Sequence, residues 1–274
     1  MSTRGHHGLL LGTAGGGSAG APPNTYAGLT FWYDGDNSAH FSGIDSSSGS
    51  PGASDDFQRF DSAAAISRVL VVGAGTARLK RLSPVVGSSA GFRTGSASGG
   101  SFYAKPSAGA GPSVPATLGN LFSASNKAVV CAIKVRSAPS AAGADYNNPL
   151  IIGDASVYTG LHVYSSGGKA VFVGLNYDGN YDKVTKIGPE LGGWAVVTMR
   201  HSAGQLRIRV NGGAWTSVAS GNTASTADPM TMFYYSTSFL DAEIAQFCTY
   251  NASRSDAELL EVERYLGAKV GITI

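Results

Sequence analysis

The chain has 274 residues, of which 38 are glycine and 14% are charged, and its formal net charge is +2. A balance this near neutral excludes the basic surface that nucleic-acid or membrane-surface binding requires, and no run approaches the ~18 apolar residues of a membrane span. With 43% hydrophobic residues there is material for a sizeable core, which excludes global disorder.

Residues 1–25 are dominated by Gly, Ala, Ser and Pro and show no periodicity. Such a segment cannot bury enough surface to offset its ordering entropy. It reads as an assembly arm, free or docked on a neighbour, with Arg4, His6, His7, Leu9, Leu10 and Leu11 as its contact residues. The run Leu9 to Leu11 is too short for a signal-peptide core, so a standard export signal is not expected. The body is expected to begin at Tyr26. Leu29, Phe31 and Tyr33 alternate with Thr30 and Trp32, which suits a strand. Residues 34–64 read as loop, Ile66 to Val72 as a strand, and 83–117 as Gly/Ser/Pro-rich chain with a short strand at Ser101–Ala104. Together, 35–117 is a predicted loop excursion with a contact role.

From residue 128 the pattern sharpens. Strands are predicted at Ala128–Arg136, Pro149–Gly153, Gly160–Ser165, Lys169–Tyr177, Trp194–His201, Gln205–Asn211, Ala214–Ala219, Met230–Tyr235 and Ala242–Tyr250. Ser202-Ala203-Gly204 and Asn211-Gly212-Gly213 supply tight turns. Leu206, Ile208 and Val210 are expected to face the core, and Arg207 and Arg209 water. Cys131 and Cys248 sit in apolar runs and read as buried thiols rather than a disulfide framework. Short, evenly spaced strands with turn signals argue for an all-β antiparallel sandwich or barrel. Ser255-Asp256-Ala257-Glu258 is a capping box, and Leu259, Val262, Leu266 and Val270 form one helical stripe. A helix is predicted from about 256 to 270, packed on the sandwich, with Lys269 and Gly271 suiting its C-terminal end.

The pieces "AVVCAIKV", "GLHVYSSGGKAVFVGL", "GGWAVVTMRHSAGQLRIRVNGG" and "FLDAEIAQFCTYNASRSDAELLEVERYLGAKVGI" resemble the concanavalin A-like, laminin G-like jelly roll. The closing strand and helix, and the opening "GLTFWYDGDNSA", resemble such modules in bacteriophage structural proteins. The likeness covers 118–274 well and 26–34 loosely; 35–117 departs from it. It implies a jelly-roll sandwich in the virion: a capsid decoration, head-fibre or tail accessory protein. Its implied partners are other virion proteins and further copies of itself. A lectin-like adhesin for host-surface glycan is the alternative, since the same fold hosts lectins and glycanases as well as structural domains.

The glycanase branch of the fold carries clustered carboxylates on one strand. No strand here has that spacing, and the chain is expected to be no enzyme. Glu258, Glu261 and Glu263 read as the solvated face of the terminal helix, and Asp241 and Glu243 as an edge pair. His201-Ser202 are neighbours in one hairpin, whereas a triad needs separate elements converging. Val71 to Arg78 mimics a dinucleotide fingerprint but has Arg78 at the third glycine position. Asp34, Asp36 and Asp45 share one loop and would take calcium, the cation laminin G-like modules hold at a loop rim; otherwise no cofactor is expected. Carbohydrate binding points to Asn176, Tyr177, Asp178 and Tyr181, with Tyr158 and His162 expected nearby. There, aromatic faces stand beside amide and carboxylate groups. The competing reading is a polar turn whose tyrosines meet another protein.

Overall fold

The computed structural model describes residues 20–36, 126–138, 140, 159–177, 179–221 and 240–274 with their side chains, and a further set of strands by backbone alone. In chain order the strands are β1 (Leu29–Asp34), β2 (Phe41–Gly43), β3 (Asp56–Asp61), β4 (Val69–Val71), β5 (Leu79–Val86), β6 (Ser89–Arg93), β7 (Lys127–Ser137) and β8 (Ile152–Asp154). They continue with β9 (Thr159–Ser166), β10 (Lys169–Tyr177), β11 (Tyr181–Glu190), β12 (Trp194–Ser202), β13 (Gln205–Val210), β14 (Thr216–Ala219), β15 (Met230–Thr231) and β16 (Asp241–Tyr250), followed by helix α1 (Asp256–Lys269). One sheet runs β14-β13-β12-β7-β16-β6-β5-β3-β2, with β1 also paired to β16 and β4 to β3; the other runs β11-β10-β9-β8-β15. The named strands pair antiparallel throughout. The all-β sandwich with one C-terminal helix is therefore as the sequence predicts.

Three layers result: the five-stranded sheet, the large sheet, and α1. Val129, Cys131, Ile133 and Val135 of β7 face the smaller sheet, meeting Leu161, Val163, Ala170 and Phe172. The alternate residues Ala128, Val130 and Ala132 face α1 and meet Leu259, Val262, Leu266 and Val270. Both faces of β7 are covered, which is why its sequence is a continuous apolar run. The helix-facing residues are the smaller ones, so the helix can lie close. Each fully buried aliphatic side chain contributes about 1.5–3 kcal/mol.

Cys131 pairs in register with Phe247 and Cys248 with Val130, so the two thiols face different core layers and remain free. Burial pushes Cys131 well above the ordinary thiol value and Cys248 up to about 12, which makes both poor nucleophiles.

The helix begins as its sequence dictates. Ser255 Oγ accepts from the Glu258 N–H at 3.2 Å, and Glu258 Oε2 accepts from the Ser255 N–H at 2.7 Å. That backbone bond holds the Glu258 carboxyl below its ordinary value. Ala203-Gly204 and Asn211-Gly212 both have positive φ at each residue, the pattern of a type I′ turn.

Three expectations need correction. The 35–117 excursion contributes β2 to β6: β3 lies inside the stretch read as loop, β4 falls within the predicted 66–72 strand, and Ser101–Ala104 lies outside the described residues. These short strands are fixed by neighbours rather than by local pattern. Strand β11 has no counterpart among the predicted strands. As an edge strand it buries little of its length, and Lys183, Lys186 and Pro189 hide its period.

The third concerns the arm. Residues 1–19, with Arg4, His6, His7 and Leu9 to Leu11, lie outside the described residues. Residues 20–25, however, belong to the body. The Ala21 N–H donates to the Glu261 carbonyl at 3.2 Å, and the Tyr250 hydroxyl donates to the Pro23 carbonyl at 2.9 Å. Gly20, at φ +73, lies so close to α1 that a Cβ would collide with the backbone of Glu261 and Tyr265. Gly20→Ala is expected to lower stability by about 1–3 kcal/mol in urea unfolding, through clash and backbone strain together.

Candidate functional site

The β10–β11 hairpin carries the candidate site. Alternation along β10 points Ala170 and Phe172 into the core, so Val171, Val173, Leu175 and Tyr177 take the opposite face of the small sheet, where the three aliphatic residues are themselves buried and Tyr177 is half-buried. Register then places Tyr181 opposite Tyr177 on that face, with Lys183 opposite Leu175 and Thr185 opposite Val173. The two tyrosine rings lie 4.9 Å apart between centroids and tilt by 45°. Tyr181 is 43% exposed, and Ile187, further along the same face of β11, is 67% exposed. Among the described residues these are the two exposed large apolar side chains. They share one face of one edge strand, with exposed Lys183 and Thr185 between them. The surface is thus a shallow strip of aromatic and apolar area interrupted by polar groups.

The residues predicted for carbohydrate binding divide. Tyr177 and Tyr181 come together at the strip. Asn176 has the opposite parity: it points between the sheets and is fully buried. Its Oδ1 accepts from Lys127 Nζ at 2.8 Å, and its Nδ2 donates to Ser220 Oγ at 2.8 Å and to the Gly221 carbonyl at 3.3 Å. His162 shares the face of Tyr177, opposite Val173, but has no exposed surface. A sugar approaching from solvent would meet neither. Tyr158 and Asp178 lie outside the described residues.

Of the calcium candidates, Asp45 lies outside the described residues. Asp34 ends β1, and its Oδ1 accepts from the Asp36 N–H at 3.2 Å and from Gln246 Nε2 at 2.8 Å. Asp36 Oδ2 pairs with Lys269 Nζ at 2.5 Å. The two carboxylates therefore tie β1 to the last turn of α1, with a lysine supplying the positive charge. Among the described residues no group of three or more His, Cys, Asp or Glu is placed to hold a metal ion. No helix among them is long and apolar enough to cross a membrane.

A charged cluster that the sequence reading missed lies between the large sheet and α1. Glu263, expected in solvent, has no exposed surface; Arg209, expected to face water, is 5% exposed. Arg209 Nε donates to Glu263 Oε1 at 2.7 Å, and Thr198 Oγ1 donates to the same oxygen at 2.5 Å. Burial raises the Glu263 carboxyl, while Arg209 and Thr198 hold it down in part. Arg209 also lies 4.3 Å from the Trp215 ring centroid, and Arg200 5.1 Å. Arg200 Nη1 reaches Asp256 at 2.6 Å, at the helix start. The signal was available: Glu263 stands four residues after Leu259 and three before Leu266, on the apolar stripe itself. Asp241 and Glu243 also differ from expectation, since β16 is an interior strand. Glu243 is buried between Lys134 at 2.5 Å and Arg136 at 2.6 Å, and Arg136 reaches Asp241 at 3.8 Å.

No protein-family model and no curated protein sequence matches the chain. Solved structures do. The binding domain of botulinum neurotoxin DC in complex with SialylT is similar at TM-score 0.51 and 13% identity, over 76% of this chain and 48% of that one. The same domain in complex with rat synaptotagmin II gives TM-score 0.51 and 12% identity, over 77% and 51%. The receptor-binding domain of the botulinum neurotoxin C/D mosaic serotype gives 0.51 and 11%, over 86% and 51%. The chain spans about half the length of these structures. At such identities the likeness establishes the β-sandwich fold, in keeping with the jelly-roll resemblance read from the sequence.

Proposed function

We propose that this chain is a non-catalytic recognition module that binds glycan through Tyr177 and the exposed face of β11. The observation that carries this reading is the cross-strand Tyr177–Tyr181 pair on a solvent-facing edge. A sugar ring stacks its C–H face on such an aromatic surface, while the flanking Lys183 and Thr185 can pair with hydroxyls. Two of the similar domains support a recognition role, one in complex with SialylT and one with synaptotagmin II. The carboxylates of β16 and α1 also favour binding over catalysis. Asp256, Glu258, Glu261 and Glu263 each pair with an arginine, and Glu243 pairs with Lys134 and Arg136. A glycosidase instead needs two carboxyl groups facing across a sugar. The similar structures lend no support to the virion setting or to virion partners, which rest on the sequence resemblance alone.

Glycan-array binding tests the proposal. The wild-type chain is expected to retain a defined class of oligosaccharide. Tyr181→Ala and Tyr177→Ala are each expected to weaken it about tenfold, the loss of roughly 1.4 kcal/mol of stacking, with thermal midpoints little changed. A wild-type chain that binds no glycan, or variants that bind equally well, would overturn the assignment.

A further inference from the structure

A lysine with no exposed surface is costly unless it is paired or used. Lys127 is the first residue of β7 and points between the sheets, in register with the equally buried His201 of β12. Asn176 reaches the same space from β10, in the other sheet. The Lys127 amine lies 2.8 Å from Asn176 Oδ1, so it stands beside the carboxamide carbon. The far side of the carboxamide is fixed by Ser220 Oγ at 2.8 Å and by the Gly221 carbonyl at 3.3 Å, which leaves the carbonyl turned to the amine. Asp182 on β11 is the cross-strand partner of Asn176 and shares its inward face. Paired residues of this kind have Cβ atoms about 5 Å apart. Asp182 Oδ2 is buried and has no hydrogen-bond partner among the described residues.

We propose that Lys127 and Asn176 condense into an intramolecular isopeptide bond that joins the two sheets, with Asp182 as the proton carrier. The amine nitrogen attacks Asn176 Cγ, and the Nζ–Cγ bond forms. Asp182 takes a proton from Nζ and returns it to Nδ2. The Cγ–Nδ2 bond breaks and ammonia leaves. No oxidant, metal or nucleotide is consumed. The step requires the neutral amine as nucleophile. Holding amine and carboxamide together replaces a bimolecular encounter with an effective concentration of roughly 10⁵–10⁸ M. The lysine is long enough for the task, since packed sheets lie about 10 Å apart.

Intact-mass measurement of the folded full chain, followed by peptide mapping, decides the matter. The expected mass is lower than the sequence mass by one ammonia, and digestion should yield one branched peptide joining Lys127 to Asn176. Lys127→Arg should show the full sequence mass. Asn176→Asp should lose one water instead of ammonia, because a carboxyl group replaces the carboxamide. Asp182→Asn, checked as folded by circular dichroism, should retain the full mass. A folded wild-type chain that keeps its full mass after prolonged incubation, with no branched peptide, overturns the bond. Bond formation in Asp182→Asn overturns the part assigned to Asp182.

Discussion

Replacing Glu263 by alanine is expected to destabilise the fold by about 3–5 kcal/mol, because it strands the buried Arg209 guanidinium without its carboxylate. Arg209 is 5% exposed and Glu263 wholly buried, so water cannot replace the lost partner. For a chain of this size the thermal midpoint should fall by roughly 10 °C. Arg209→Ala should cost a similar amount, and it also removes the cation that lies 4.3 Å from the centre of the Trp215 ring. The double substitution Arg209→Met with Glu263→Leu should recover most of the loss, since a buried ion pair is worth little more than apolar residues of like volume. The pH dependence carries a definite sign. Burial raises the Glu263 carboxyl in the folded chain, so the folded state holds its proton to higher pH than the unfolded state does. The stabilisation from this group is complete below the ordinary carboxylate value and is lost as pH rises through the folded one. Glu263→Gln should therefore flatten the unfolding free energy across that interval. Chemical denaturation at a series of pH values measures both effects.

Phe247→Ala is expected to cost about 3–5 kcal/mol, the range for deleting a large aromatic from a packed core. Phe247 has no exposed surface. Its ring stacks on Phe31 at 5.3 Å and on Tyr33 at 5.8 Å, with interplanar angles of 18° and 11°. Three rings drawn from β1 and β16 thus form one stack, and removing the middle ring leaves a cavity that its neighbours cannot close without breaking strand register. Phe247→Leu keeps most of the volume and should cost about half as much. The urea midpoint should shift with little change in slope, the mark of lost stability without lost cooperativity.

How much of this was legible before the structure depends on what each residue's pattern encodes. The helix was fully legible, because the Ser255–Glu258 box and the 259, 262, 266, 270 stripe each determine it locally. The β7 run was legible as a strand, and its uninterrupted apolar character was a sign of cover on both faces. That cover explains the errors nearby. Alternation separates two faces but does not name them. Arg209 therefore reads as water-facing although its face lies under α1, and Glu263 reads as solvated from its charge although its spacing places it on the buried stripe. Asn176 follows the same logic: parity with Phe172 turns it inward, and only the choice of Phe172 as a core residue would have shown this. The tyrosine pair was half legible, since both rings were named but β11, which presents Tyr181, was not recognised as a strand. An edge strand with one inward apolar residue, Val184, carries almost no period for sequence to reveal.

The pairing of β1 with β16, Phe31 opposite Thr249 and Tyr33 opposite Phe247, has a consequence for biosynthesis. A segment translated early must wait for one translated more than two hundred positions later. Until then its aromatic residues, and the flank of β7 reserved for β16, have no neighbour. Loop closure over such a span is slow, and the waiting chain exposes sticky surface while the ribosome is still at work. Production should therefore respond more to growth temperature and chaperone supply than a locally wired protein of equal stability would.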